Sequence, residues 1–173
     1  MLKDKWIFTN TGNKVLLLLV WAPWSWKSTF VNQNGLEDYT ISMDKYRLLI
    51  WEVKLSLDNH SWEEVAQDYN AKVAEVFWEH LEERMNKWLF TVVDNTNVAE
   101  WLYKDYHELA SKYGYTIFFK PFPKDVDTLI QINKKRGSKE VNKAVIKSMV
   151  EKYNNISVNN FSKISKYCHQ IET

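Results

Sequence analysis

Lys27, Ser28 and Thr29 close the stretch Trp21-Ala22-Pro23-Trp24-Ser25-Trp26, which follows directly on an apolar run. An ammonium and two hydroxyls in that place match the end of the pattern G-x-x-x-x-G-K-[ST], the loop that cradles phosphates between a buried strand and a helix. The length and position fit; the glycines do not, because tryptophan stands at 21, 24 and 26. Glycine belongs there for a physical reason. The loop's amides must point inward at phosphate oxygens, which takes positive φ and a close approach that a β-carbon obstructs. With glycine at the three positions the stretch would read GAPGSGKST, an unambiguous phosphate loop. Two acids stand further along: Asp44, with Arg47 three residues on, and Asp94 at the end of an apolar segment.

The elements that must position these groups are read from hydrophobic pattern. Lys14 to Trp21 is a continuous apolar run and predicts a strand buried on both faces. Lys27 to Gln33 can start a helix. Tyr39 to Ser42 predicts a short strand running into helical turns, and Leu89 to Asn97 a third strand that turns polar at Asp94. Between them, Ser61 with Glu64 forms a capping box. Val65, Tyr69, Val73, Val76, Phe77, His80, Leu81 and Met85 then follow the spacing of a long amphipathic helix. Asn97 with Glu100 repeats the capping pattern ahead of a helix carrying Val98, Leu102, Tyr106, Leu109 and Tyr113 on one face. Gly114 ends that helix as a C-cap glycine. Tyr115 to Phe122 predicts a fourth strand, and Lys124 to Lys134 and Asn142 to Tyr153 two more helices. Strands alternating with helices predict an α/β layer architecture with a mainly parallel sheet. In such sheets ligands bind beyond the carboxyl ends of the strands, so Ser25 to Ser28, Asp44 and Asp94 should converge on one crevice.

Average usage predicts roughly twelve glycines in a chain of this length, yet there are 4, beside 9 tryptophans. Three readings account for the loop: an aromatic turn that binds nothing, a decayed relative whose loop has closed, or a gene in which UGA, written as tryptophan, is decoded as glycine. The third explains both counts in one step. It extends to Trp88, in the turn before a strand, and leaves Trp6, Trp51, Trp62, Trp78 and Trp101 unassigned. The 173 residues suit one domain with a real core. No signal peptide is expected, and Val15 to Ala22 is too short to span a bilayer. The single cysteine, Cys168, excludes an internal disulfide and fits a reducing cytoplasm. His60, His80, His107 and His169 lack metal-ligand spacing, and no nucleophilic triad is visible.

With the loop placed, the chain resembles the 5′-polynucleotide kinase branch of P-loop phosphotransferases, including the kinase half of phage-type end-healing enzymes. The likeness runs from about Lys14 to Tyr153 and is carried by APWSWKSTF, ISMDKYR, TVVDNTNV, ELASKYGY and NKKRGSKEVNKAVIKSMVEKY. It implies a three-layer α/β/α fold with a mainly parallel sheet of about four to five strands and a helical lid. Residues 1–155 would form the kinase domain, and 156–173 a tail packed on it or extending from it. It further implies ATP as donor, Mg²⁺ as cofactor and the 5′-hydroxyl of RNA or DNA ends as acceptor, with no membrane involved. The donor loop would be Trp21, Ala22, Pro23, Trp24, Ser25, Trp26, Lys27, Ser28 and Thr29. Lys27 would neutralise the β and γ phosphates, and Ser28 would ligate the metal, with Asp94 near the metal or its waters. Asp44 would be the general base, Arg47 the holder of the acceptor-strand phosphate, and Arg136 the lid arginine on the donor phosphates. Residues i and i+3 on a helical turn project to the same side, which suits the Asp44/Arg47 roles.

The chain departs from that pattern in places. Gln131 and Ile132 stand where many relatives carry a further arginine, and no D-x-D-G-T phosphatase signature follows, so 5′ phosphorylation without 3′ healing is expected. Lys120 to Glu151 holds eight bases against four acids, and Trp62 to Lys87 seven acids against three bases. That is either a polarised surface for a nucleic-acid acceptor or two solvated faces. A small-molecule kinase of the same fold and a catalytically silent binding module are the alternatives.

Overall fold

The computed structural model describes residues 14–21, 26–55, 70–122, 125–134, 142–157, 165 and 167–171. Its elements are β1 (Val15–Val20), α1 (Lys27–Gln33), β2 (Thr40–Ile41), α2 (Met43–Leu55), α3 (Asn70–Asn86), β3 (Thr91–Asp94), α4 (Glu100–Tyr113), β4 (Thr116–Pro121), α5 (Val126–Lys134), α6 (Lys143–Ser157) and β5 (His169–Gln170). The strands lie in the order β2-β3-β1-β4-β5, and every adjacent pair is parallel. This is the expected mainly parallel α/β sheet flanked by helices.

β1 is central, and its six residues are all buried. Alternate side chains enter two separate cores, as strand geometry requires. Leu16, Leu18 and Val20 pack with Phe77, Leu81 and Met85 of α3, Tyr103 and Tyr106 of α4, Leu129 of α5 and Ile146 of α6. Leu17 and Leu19 pack on the other face with Val31 of α1, Leu36, Val92 and Ile171. The chain therefore leaves β1 over one face and β3 over the opposite one. That reversal opens a crevice at the carboxyl ends of β1 and β3, where ligands bind in open α/β sheets.

Two expectations change. Asn97 does not cap α4, whose cap position is Ala99 with no side-chain cap bond. Instead Asn97 is buried at φ 49, and its Nδ2 donates to the carbonyl of Leu19 at 2.9 Å. The Tyr106 hydroxyl donates to its Oδ1 at 3.0 Å and the Tyr103 hydroxyl to its carbonyl at 2.9 Å. A polar side chain buried this deeply persists because each of its groups is bonded, and here the bonds tie β1 to α4. Asn97→Ala removes the buried bonds to the Tyr106 hydroxyl and the Leu19 carbonyl, so a loss of about 1–3 kcal/mol is expected in urea unfolding. An unchanged midpoint would show that the hub carries no stability.

The second change concerns the tail, which contributes a strand that the hydrophobic pattern does not mark. Gln170 and His169 pair in parallel with Phe119 and Phe118, and Cys168 is buried. The capping box at Ser61 and the first turns of the long helix lie outside the described residues. From Asn70 onward that helix buries Val73, Phe77, Leu81 and Met85, as its period requires. No described helix is long and apolar enough to cross a membrane.

Candidate phosphate and metal site

The site begins where β1 stops. Trp21 follows the strand, its amide donating to the Thr96 carbonyl at 3.0 Å, which ties the loop's first residue to the turn after β3. Trp26 occupies the N-cap position of α1 at φ 70, ψ 6, in the left-handed region. Lys27 opens the helix, and its buried Nζ donates to the Trp21 carbonyl at 2.9 Å, folding the ammonium back to the end of β1. Burial lowers the Lys27 pKa, opposed by the charges of Asp94 and Asp44.

Ser28 is the next residue, and its hydroxyl donates to Asp94 Oδ2 at 3.1 Å. Asp94 ends β3, so this bond ties the first turn of α1 to the carboxyl end of that strand. Burial raises the Asp94 pKa, with Lys27 and the Ser28 bond acting against it and Asp44 adding to it. A serine hydroxyl and a carboxylate side by side form a hard-oxygen pair, the donor set that suits Mg²⁺. Thr29 lies half-buried on α1. Among the described residues no cluster of three or more His, Cys, Asp or Glu could hold a metal. Any cation here would thus lean on Ser28, Asp94 and ligand oxygens.

Asp44 sits in the first turn of α2, just beyond β2, and accepts a 2.6 Å bond from Arg47 Nη1. Its side chain is 85% exposed and that of Arg47 29%. The pair is anchored from below, since the Met43 amide donates to Asn95 Oδ1 at 2.9 Å and Lys45 Nζ to the Thr40 carbonyl at 3.2 Å. Asn95, directly after Asp94, is a positioning residue that the sequence pattern did not single out. Its one signal there is an amide in the turn after a buried strand. Lys27, Ser28, Asp44, Arg47 and Asp94 thus lie at or just beyond the carboxyl ends of β1, β2 and β3. Ala22, Pro23, Trp24, Ser25 and Arg136 lie outside the described residues.

Among the described bases of the stretch Lys120 to Glu151, Lys134, Lys143 and Lys147 are exposed. Lys120 is buried, with Nζ 5.3 Å from the Phe30 ring and 5.9 Å from that of Phe122. On α3, Glu75 and Glu83 pair with Lys72 and Lys87, and Glu82 with Lys112 of α4. This part of the acidic helix is therefore largely a solvated, internally paired face.

Two solved structures share the fold. A candidate kinase from Chloroflexus aurantiacus j-10-fl superposes with a TM-score of 0.60 at 12% identity, over 73% of this chain and 68% of that one. A chain of the Pnkp1/Rnl/Hen1 complex superposes with a TM-score of 0.54 at 22% identity, over 76% of this chain. The present chain spans only 42% of that protein. No match is found among curated protein sequences. The family profile described as AAA domain matches residues 16–156, from the second residue of β1 nearly to the end of α6. With that match covering most of its length, and with a P-loop kinase-like fold around the Lys27–Ser28–Asp94 corner, the chain belongs to the AAA_33 family of AAA domains.

Proposed function

We propose that the protein is an ATP-dependent kinase that transfers the γ-phosphate to the 5′-hydroxyl of RNA or DNA ends. The observation that carries this reading is the Asp44–Arg47 pair standing beside the Lys27–Ser28–Asp94 corner. An exposed carboxylate held by a half-buried guanidinium would supply the proton acceptor and the phosphate-binding group that an acceptor site needs. In the proposed reaction Asp44 accepts the proton of the 5′-hydroxyl as its oxygen bonds to the γ-phosphorus. The bond from that phosphorus to the bridging oxygen breaks, and ADP leaves with the electron pair. Lys27 swings from the Trp21 carbonyl to the donor phosphates, and Arg47 forks onto the acceptor's phosphate. Mg²⁺ bound by Ser28 and Asp94 would neutralise charge on the donor phosphates. Arg136, on the segment after α5, is proposed to meet the donor phosphates from the lid side, and residues 156–173 to serve as a tail to this kinase domain.

The Pnkp1/Rnl/Hen1 likeness supports a nucleic-acid acceptor at the level of fold. In a protein with loop glycines restored, Arg47→Ala should lower kcat/KM by about 10- to 100-fold on an oligonucleotide with a 3′-phosphate beside its 5′-hydroxyl. The loss should be smaller on a nucleoside lacking that phosphate. Equal losses on both acceptors would favour a small-molecule kinase.

A further inference from the structure

Of the described residues, four other than glycine take positive φ, and three of them are tryptophans: Trp21 at 155, Trp26 at 70 and Trp88 at 59. A bulky aromatic in the left-handed region is a backbone outlier, because its β-carbon crowds the following carbonyl. Trp88 can be compared with internal controls. Its amide donates to the Met85 carbonyl and that of Leu89 to Arg84, both at 3.0 Å. At the end of α4, Gly114 donates to Ser111 and Tyr115 to Ala110. After α1, Gly35 donates to Asn32 and Leu36 to Val31. The bond offsets are the same in all three, which is the Schellman ending with a left-handed residue at C′. Gly114 and Gly35 hold φ 72 and 62 at that position, and α3 holds a tryptophan there.

The two tryptophans in the left-handed region are largely exposed. Trp88 is 62% exposed and Trp26 56%. Trp88 does lie under Lys14 Nζ at 4.6 Å, an exposed cation–π contact of modest worth. Trp21 is buried, but its indole Nε1 has no hydrogen-bond partner and its ring centroid lies 3.7 Å from that of Tyr153. Edge-to-face rings normally sit 4.5–7 Å apart. Trp78 behaves in the opposite way. It lies inside α3 with ordinary aromatic contacts to Phe77 at 5.5 Å and Tyr106 at 4.9 Å.

We infer that positions 21, 26 and 88 are glycine in the protein as its own cell makes it, each read from a UGA codon, whereas Trp78 is a true tryptophan. The inference does not depend on the kinase reading, since Trp88 precedes β3 at the amino end of the sheet, away from the candidate site. Three readouts test it. The gene should carry UGA at 21, 26 and 88 and UGG at 78, and UGG at 21, 26 or 88 overturns the assignment for that position. Mass spectrometry of the protein from its native cells should find glycine in the peptide spanning position 88, and tryptophan there overturns it. In recombinant protein, Trp88→Gly should raise the unfolding midpoint by about 2–4 °C and Trp78→Gly should lower it. A fall with Trp88→Gly would show that position 88 is not a glycine site.

Discussion

Restoring glycine at positions 21, 24 and 26 together is expected to turn a chain with no measurable ATP affinity into one that binds ATP and phosphorylates oligonucleotide 5′ ends. In the tryptophan form Trp21 is buried in the core beside Tyr153 and Lys27 is bonded to its carbonyl. Trp26 reaches its left-handed φ only at a cost. Lys27 alone cannot replace a ring of amide donors. Amide bonds to a charged phosphate contribute about 1.5–3 kcal/mol each, so losing two of them lowers affinity by about 10²- to 10⁴-fold. The two proteins should be compared side by side by ATP calorimetry and by phosphate transfer to an oligonucleotide. Tight ATP binding by the tryptophan form, or none by a folded glycine form, would refute this account of the loop.

In the glycine background, Asp44→Asn should reduce transfer by about 10²- to 10⁴-fold, the usual worth of a positioned general base. ATP affinity should stay nearly constant, because Asp44 is exposed and its carboxylate is bonded to Arg47. Single-turnover transfer and ATP calorimetry on the same preparation separate the two effects. Parallel loss of ATP binding would assign Asp44 to the donor site, and full retention of transfer would remove it from the chemistry.

The parts of the fold legible in the sequence were those whose burial is periodic. Val15 to Val20 is apolar at every position because both faces of β1 are covered, and Val73, Phe77, Leu81 and Met85 repeat because one side of α3 is. The left-handed turn at Trp88 was legible for another reason, a bulky residue where a turn before a strand is needed. Asn97 misled because its spacing to Glu100 imitates a cap, while its bonds go to a strand 78 positions earlier, beyond any local pattern. β5 was missed because His169 and Gln170 are both exposed. Their pairing is a main-chain matter and leaves no hydrophobic period. Lys120 was counted as surface on charge alone, whereas its stem and ammonium lie among Phe30 and Phe122.

The central position of β1 also bears on how the chain is made. Leu16 pairs with Thr91 on one side and Ile117 on the other, so the most apolar segment leaves the ribosome well before either neighbour exists. At about 5–20 residues per second the wait is on the order of several seconds. During it a β-prone Leu-rich segment is open to association with other chains. A strand left unpaired during synthesis, and a sheet that closes only through distant pairings, therefore follow from the strand order itself.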